Sequence, residues 1–153
     1  MNYWLLKTEP EEFSIDDLQN KAGAEIWEGI RNYQARNIIR DQIELNDRVL
    51  IYHSSCKNVG VAGVGEISKA GYPCPYQFEK SHKYFDPKAE SGSPRWYVMD
   101  VKFVEKFSSL VSLKQIKQES ILKDMVLVKQ GRLSVQPVTK DEFEKICSLG
   151  RSD

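Results

Sequence analysis

The sequence predicts a single α+β domain over residues 1–150, with a small curved sheet or barrel and flanking helices. Strand-like and helix-like segments alternate irregularly along the 153 residues, without the regular βαβ rhythm of a parallel sheet. The predicted strands are short, and one of them carries three glycines, as is typical of bends in a curved sheet. A hydrophobic share of 41% and a charged share of 29% indicate a packed core rather than a disordered chain.

Apolar runs bounded by polar or turn-forming residues predict the strands. Residues 3–7 and 47–54 are two short runs of this kind, and residues 59–68 are the glycine-rich one. These glycines do not match GxGxxG, and no GK[ST] follows, so they predict a bulge, a bend or a close contact rather than a phosphate loop. Residues 95–107 predict a long strand, and residues 125–138 predict two short strands around a glycine turn.

Capping residues mark where helices begin. Ser14 is the predicted N-cap of a first helix, and Asn32 opens a second one whose apolar stripe faces the core. Residues 112–119 predict a third helix. The last helix begins at Thr139, where Glu142 completes a T-x-x-E capping box.

The distribution of charge is less even than its total. The chain has 22 basic and 22 acidic side chains, so its formal net charge of zero does not mark it as a nucleic-acid binder. Residues 80–140 nevertheless carry 12 Lys/Arg against 6 Asp/Glu. This excess predicts either one basic face or a scattered set of solvated charges.

Several classes of protein are excluded by what the sequence lacks. No apolar stretch approaches the ~20 residues that span a bilayer, and the N-terminal run lacks signal-peptide features, so we expect no membrane association and a cytoplasmic location. The three cysteines are far apart without a CxxC pair, and there are two histidines. We therefore expect no disulfide framework, no metal site and no cofactor. Self-association stays open, with a monomer as the simplest expectation.

Two polar clusters at strand ends are candidates for catalysis. Lys7, Thr8 and Glu9 would provide a nucleophile with an acid and a base, or would simply form the polar turn that ends a strand. His53 and Cys56 are a weaker pair, because their side chains would tend to point to opposite faces of a strand end. His53 is better explained as a partly buried hydrogen-bonding residue.

The stretch WEGIRNYQARN, residues 27–37, is the most informative part of the chain. Trp27 and Tyr33 are flat rings next to Arg31 and Asn32. Rings of this kind stack on an unpaired base, amides read its edge and arginines contact phosphate. The alternatives are that the rings belong to the core and that Asn32 only caps the helix.

The chain resembles the EVE-domain proteins of the small standalone bacterial type. The resemblance extends in order over nearly all of residues 1–150. Its motifs are YWLLKTEPEEFS, WEGIRNYQARN, NDRVLIYHSSCKNVGVAGVGEI, YPCPYQF followed by YFDPKA, PRWYVMDVKF and QGRLSVQPVTKDEFEKI. One of these motifs alone would be weak evidence, whereas six in sequence are specific.

This resemblance implies a fold of the PUA-like superfamily, a small mixed β-barrel akin to YTH and ASCH domains. It also implies a non-catalytic module that reads a modified nucleobase in DNA or RNA. The residues implied to bind the base are Trp27, Asn32, Tyr33, His53, Ser54, Leu133 and Ser134. Those implied to bind phosphate are Arg31 and Arg132.

One departure from the family pattern is visible, and two alternative functions stay open. The chain has Cys74 where the family pattern implies an aspartate, and a neutral thiol cannot accept the hydrogen bonds of a carboxylate. The first alternative is an ASCH-like hydrolase of modified nucleosides that uses Lys7, Thr8 and Glu9. The second is a protein-interaction module whose basic face binds an acidic partner.

Overall fold

The computed structural model describes residues 1–28, 30–90 and 92–151; Gly29 of the WEGIRNYQARN stretch and Ser91 lie outside the described residues. The strands are β1 (Tyr3–Thr8), β2 (Glu25–Trp27), β3 (Arg48–His53), β4 (Gly60–Pro73), β5 (Tyr97–Ser112) and β6 (Val135–Val138). The helices are α1 (Ile15–Asn20), α2 (Tyr33–Asp41), α3 (Leu113–Gln118), α4 (Val126–Lys129) and α5 (Lys140–Arg151). Short 3-10 turns occupy Pro75–Phe78 and Ser120–Leu122.

All six strands belong to one mixed sheet, in the order β2-β5-β4-β3-β1-β6. β1 and β3 run parallel because α1, β2 and α2 form the crossover between them, and the other neighbours are antiparallel. The α+β class is thereby confirmed. The barrel prediction is corrected: β2 pairs with β5 and β6 pairs with β1, and no ladder between β2 and β6 closes the sheet within the described ranges.

The glycines of β4 allow close contacts, as the sequence predicts. A Cβ atom on Gly63 would overlap the carbonyl oxygen of Glu105 on β5, and one on Gly71 would overlap the carbonyl oxygen of Ile39 on α2. Irregularities in the register between β4 and β5 add curvature to this strand pair. Helix α2 consequently packs directly against the backbone of β4 through its C-terminal half.

The predicted helix caps are confirmed. Oγ of Ser14 accepts from the backbone N–H of Asp17 at 3.1 Å, and Oδ1 of Asn32 accepts from that of Ala35 at 3.0 Å. At the last helix, Thr139 and Glu142 exchange hydrogen bonds of 2.9 and 3.2 Å. These short-range signals therefore set three of the helix starts correctly.

The predicted strand pair in residues 125–138 is wrong in its first half. Val126–Lys129 is a helical turn, and only Val135–Val138 is a strand. The run MVLV is short enough to suit either structure, and in the folded protein Met125 and Leu127 are buried in the core around α3 and α5. Packing against those helices outweighs the local strand propensity of the run.

Both faces of the sheet are covered. Along β1, Trp4 and Leu6 point into one core cluster with α1 and α2, whereas Leu5 points into another with α3 and α5. A third, smaller cluster of Cys74, Trp96 and Val98 lies beneath the irregular segment 74–96. Among the described residues, no helix is long and apolar enough to cross a membrane.

A buried glutamine holds the irregular segment to the sheet. Nε2 of Gln77 donates to the carbonyl oxygens of Cys74 and Trp96, both at 2.9 Å. Its Oε1 accepts from the backbone N–H groups of Arg95 and Trp96, at 3.0 and 2.9 Å. This one side chain therefore fixes the base of a long loop whose tip, around Tyr84, lies beside the candidate site.

Candidate functional site

A cleft of about 530 Å³ opens where β1, β2 and β3 end. The parallel register aligns Thr8 with His53, so the residues that follow both strands meet at this edge of the sheet. Trp27, Glu28, Ile30 and Arg31 form one wall, and the loop tip at Tyr84 adjoins it through a hydrogen bond from Arg31. The cleft is lined by Lys7, Thr8, Glu9, Glu12, Phe13, Glu25, Ile26, Trp27, Glu28, Ile30, Arg31, Ser54, Lys83, Tyr84 and Ser134.

Four of the nine predicted base- and phosphate-binding residues line this cleft: Trp27, Arg31, Ser54 and Ser134. Trp27 is 7% exposed and meets Phe13 edge to face, with ring centroids 5.9 Å apart. Ser54 is anchored by its backbone N–H, which donates to the carbonyl oxygen of Thr8 at 2.9 Å. Two aromatic rings and two hydroxyls thus come together on one surface.

Asn32 lies outside the cleft lining, and its side-chain oxygen is engaged in the helix cap. Sequence reasoning left open whether Asn32 caps the helix or reads a base. In the structure its Oδ1 accepts from the N–H of Ala35, so Asn32 caps the helix, and the base-reading role that the resemblance implies stays a prediction.

His53 also has a structural partner. Its Nε2 accepts a hydrogen bond from the backbone N–H of Ile15 at 3.1 Å, so this nitrogen carries no proton. Burial lowers the pKa of His53, with a smaller opposing effect from Asp16 and a smaller contribution in the same direction from Lys106. The imidazole therefore holds the start of α1 in its neutral form instead of lining the cleft.

Leu133 and Arg132 lie beside the cleft without lining it. Leu133 is 4% exposed and belongs to the core cluster under α2. Arg132 is an exposed turn residue. Only Ser134 of this motif reaches the cleft, where its carbonyl oxygen also accepts from the backbone N–H of Lys7 at 3.0 Å.

All three residues of the catalytic alternative line the same cleft: Lys7, Thr8 and Glu9. Nζ of Lys7 donates to the carbonyl oxygen of Gly131, and burial lowers the pKa of this lysine. Oγ1 of Thr8 donates to the carbonyl oxygen of Phe13 at 2.6 Å. The lysine and the threonine are therefore each bound to backbone, and no hydrogen bond among the described residues links the three side chains into a relay.

Tyr33 lies on an adjacent surface. Its ring is 48% exposed and stacks on Trp96, with centroids 5.1 Å apart and an interplanar angle of 25°. The guanidinium of Arg36 lies 4.8 Å from the Tyr33 ring centre, and that of Arg95 lies 5.7 Å from it. We call Tyr33, Trp96, Arg36 and Arg95 the Tyr33 platform: an exposed aromatic ring flanked by two cations.

Arg31 connects the cleft to the Tyr33 platform. Its guanidinium carbon lies 5.2 Å from the ring centre of Trp96 and 5.3 Å from that of Tyr84. Nη2 donates to the carbonyl oxygen of Tyr84 at 2.9 Å. The side chain is thus held in a fixed orientation between two rings, at the point where both surfaces meet.

The basic excess in residues 80–140 does not form a single face. Lys83 and Arg95 lie beside the cleft and on the Tyr33 platform, respectively. Four other lysines form ion pairs with carboxylates elsewhere on the surface: Lys102, Lys106, Lys129 and Lys140. Local positive charge at the site comes chiefly from arginines that are in contact with aromatic rings, and of these Arg95 also pairs with Asp86 at 3.3 Å.

Sequence reasoning missed several residues of the cleft: Glu12, Phe13, Glu25, Glu28, Lys83 and Tyr84. Glu28 was visible inside WEGIRNYQARN, directly after Trp27, and the acidic run after Thr8 holds Glu12. Lys83 and Tyr84 come from the long irregular segment, for which only length and aromatic content gave a signal. The cleft therefore combines an aromatic surface with carboxylate acceptors, which suits a flat ring that carries hydrogen-bond donors.

The family model for the EVE domain matches residues 2–149. The chain belongs to the EVE-domain family. It is 41% identical to thymocyte nuclear protein 1 of Mus musculus over 171 residues, which cover 99% of this chain and 75% of the mouse protein. The resemblance to EVE-domain proteins that the six motifs indicate is thereby confirmed.

Solved structures of other EVE-domain proteins have the same fold. A Pseudomonas syringae protein matches with a TM-score of 0.90 and 44% identity, over 97% of this chain and 99% of that one. The human THYN1 protein, solved in complex with DNA that contains 5-methylcytosine, matches with a TM-score of 0.93 and 37% identity, over 100% of this chain and 99% of that one. The EVE fold of PUA-like type is therefore shown for this chain.

A more distant likeness extends to a YTH domain. The YTH domain of the Zygosaccharomyces rouxii MRB1 protein, solved with N6-methyladenosine RNA, has a TM-score of 0.53 over 98% of this chain and 86% of that one. At 13% identity the likeness concerns the fold alone.

Proposed function

We propose that this EVE-domain protein is a non-catalytic nucleic-acid-binding module that takes a modified nucleobase into the cleft. The observation that carries the proposal is the position of an aromatic and acceptor-lined cleft beside the Tyr33 platform, with Arg31 between them. The human relative solved with 5-methylcytosine DNA makes 5-methylcytosine the first base to test.

The cleft suits a single base that has left its strand. Its volume of about 530 Å³ falls within the range of roughly 300–1,000 Å³ that is usual for small-molecule sites. A base inside a duplex cannot reach such a site, so the base would enter from a single strand or after flipping. Trp27 and Phe13 offer aromatic surface, and the hydroxyl-bearing residues Ser54 and Ser134 line the same cleft, with Oγ of Ser54 donating to the carbonyl oxygen of Thr8 at 3.4 Å.

A methyl group alone gives limited discrimination. Burial of one CH₂-sized group contributes about 0.8 kcal/mol, which corresponds to roughly a fourfold preference. A larger preference would need the rings around the base to exclude the water that an unmodified base would leave there. We therefore expect a modest preference for the methylated base rather than an absolute one.

The Tyr33 platform would hold the nucleotide next to the bound base. Stacking of one base on an exposed aromatic ring is worth about 1–3 kcal/mol. Arg36 and Arg95 lie 4.8 and 5.7 Å from the centre of that ring, and Arg31 contacts Trp96, on which the ring stacks. Arg95 is already paired with Asp86 at 3.3 Å, so Arg31 and Arg36 would meet the flanking phosphates. Affinity should therefore fall as salt concentration rises, because phosphate contacts release counterions.

Mass spectrometry of co-purifying nucleic acid tests this function without a choice of ligand. The protein is expressed in its host, and the retained nucleic acid is digested and its nucleosides are compared with those of total DNA and RNA. We expect enrichment of a modified nucleoside, and we expect Ser134→Phe, which places a large side chain in the cleft, to abolish it. Retained nucleic acid of the same composition as the total, for both proteins, would contradict the proposal.

A nucleoside hydrolase is the second candidate, favoured by the presence of Lys7, Thr8 and Glu9 in the cleft and by the lowered pKa of Lys7. It predicts turnover of an acylated cytidine and the loss of that turnover in Lys7→Ala. Chromatography of the substrate after incubation decides the question, because unchanged substrate removes this candidate. Both functions use the same cleft, so a hydrolase would also bind its modified nucleoside there.

A further inference from the structure

Glu28 has a buried carboxylate oxygen, Oε2, without a hydrogen-bond partner among the described residues. Oε1 of Gln136 is the other buried side-chain atom in residues 1–28, 30–90 and 92–151 that has no hydrogen-bond partner. The amide nitrogen of Gln136 is satisfied by the carbonyl oxygen of Leu133 at 2.8 Å, within the core. Glu28 instead is a lining residue of the cleft, and a rotation of its carboxylate would turn Oε2 toward a ligand bound there. A carboxylate oxygen shielded from water and unpaired is costly, so such an atom calls for a donor from a ligand.

The cations of the cleft do not supply that donor. Nζ of Lys7 donates to the carbonyl oxygen of Gly131, and the guanidinium of Arg31 donates to the carbonyl oxygens of Ile30 and Tyr84. The neighbouring carboxylate of Glu25 differs from Glu28, since Lys21 donates to its Oε1 at 2.6 Å. The cleft therefore contains one satisfied and one unsatisfied glutamate on the same wall.

We propose that Glu28 is the specificity-determining residue of the cleft and accepts a hydrogen bond from the exocyclic amine of the bound base. This inference rests on the proposed function. Cytosine carries its N4 amine as a donor, whereas thymine and uracil carry an O4 acceptor at the same position. An ionised carboxylate is an acceptor only, so it attracts the amine and repels the carbonyl. The cleft thus selects a cytosine-type base over a uracil-type base with the same substituent at position 5.

The difference in binding free energy that this hydrogen bond produces should be larger than the one that the methyl group produces. A site built around a hydrogen bond rejects the analogue that lacks its donor, because the buried polar group of the protein is then left unpaired. With thymine, the Oε2 atom of Glu28 would face a second acceptor. We therefore expect a preference of at least about tenfold, in line with the discrimination given by base-edge contacts in general.

A comparison of 5-methylcytosine with thymine tests the inference, because the two bases share the 5-methyl group and differ at position 4. Two labelled single-stranded oligonucleotides of one sequence carry either base at the central position, and fluorescence anisotropy gives both dissociation constants. We expect the wild-type protein to bind the 5-methylcytosine strand at least about tenfold more tightly. In Glu28→Gln this ratio should fall to about threefold or less, because the amide also offers a donor to the carbonyl of thymine.

Glu25→Gln is the matched control. Glu25 lies on the same cleft wall but already has a donor, Nζ of Lys21 at 2.6 Å, so Glu25→Gln changes the charge of the cleft by the same amount without removing an unpaired acceptor. It should keep the preference of the wild-type protein. Loss of the preference in both variants would overturn the inference, because the preference would then follow from total charge rather than from Glu28.

Two further outcomes separate this inference from the proposed function. Equal binding of both strands by the wild-type protein, together with a preference for 5-methylcytosine over cytosine, overturns the role of Glu28 and leaves the proposed function intact. Failure of the wild-type protein to bind either strand at low salt overturns the proposed function itself. Thermal unfolding of each variant confirms that the compared proteins are folded.

Discussion

Nη2 of Arg31 lies 3.9 Å from the sulfur of Cys74, whose side chain is fully buried. The family resemblance implies an aspartate at this position, and an aspartate there would form an ion pair with the guanidinium. The thiol of this chain does not. No carboxylate among the described residues lies within ion-pair distance of Arg31, which is held instead by the carbonyl oxygens of Ile30 and Tyr84. The replacement thus leaves a positive charge available between the cleft and the Tyr33 platform.

Cys74→Asp should weaken nucleic-acid binding by pairing with Arg31. If Arg31 contacts one phosphate, the slope of log affinity against log salt should become smaller by about 0.7 for a single strand. The slope is measured by anisotropy titrations at several salt concentrations, with circular dichroism as a check of the fold. Cys74→Ser is the control and should keep the slope of the wild-type protein. An unchanged slope in Cys74→Asp would show that Arg31 meets no phosphate.

Tyr33→Ala should lower affinity for any single strand without changing the preference between bases. The ring is 48% exposed, so its loss should leave the fold intact, whereas the loss of one stacked base should cost about 1–3 kcal/mol of binding free energy. Tyr33→Phe keeps the ring and removes only the hydroxyl that Arg95 contacts. It should bind nearly as well as the wild-type protein. Equal binding by Tyr33→Ala would remove the Tyr33 platform from the interface.

Gln77→Ala should destabilise the protein because four backbone groups of Cys74, Arg95 and Trp96 each lose a hydrogen bond, and only the carbonyl oxygen of Trp96 keeps another, from the N–H of Cys74 at 2.9 Å. Unsatisfied buried groups cost about 1–3 kcal/mol each, less where water enters, so we expect the free energy of unfolding to fall by at least about 2 kcal/mol. Chemical denaturation measures this change. Gln118→Ala, on an exposed position of α3, is the control and should change stability little.

The pKa of His53 predicts a pH dependence of stability. Because burial lowers the pKa of the folded imidazole below its unfolded value of about 6.5, the unfolded chain binds more protons just below that pH. The contribution of the neutral imidazole is therefore fully present above pH ~6.5 and is lost as the pH falls toward the folded pKa. His53→Gln should flatten the curve of unfolding free energy against pH in this window. An identical curve for both proteins would contradict this assignment.

Much of the fold follows from short-range signals in the sequence. The caps at Ser14, Asn32 and Thr139 depend on two or three neighbouring residues, so a single sequence suffices to predict them. The helical turn at Val126–Lys129 and the three-residue strand β2 depend on what packs against them or pairs with them, which no local pattern contains.

The sequence predicted only part of the candidate site, because the rest also depends on three-dimensional packing. The motif WEGIRNYQARN indicated the right wall of the cleft, since Trp27 and Arg31 both line it. The motif could not show that Tyr33 lies outside the cleft, because the geometry of α2 and the stack on Trp96 direct that ring to the neighbouring surface. Glu28 needed the structure, because an unpaired buried oxygen is a property of three-dimensional packing.

The most direct test of the central claim is a titration of the wild-type protein with two single strands that differ only by 5-methylcytosine or cytosine at one position. Binding should be detectable at low salt, should weaken with added salt, and should favour the methylated strand by a few-fold. Ser134→Phe should bind both strands with equal affinity, because its cleft is filled while the Tyr33 platform is unchanged. Equal affinity of the wild-type protein for both strands, or no binding at low salt, would contradict the claim that this cleft reads a modified base.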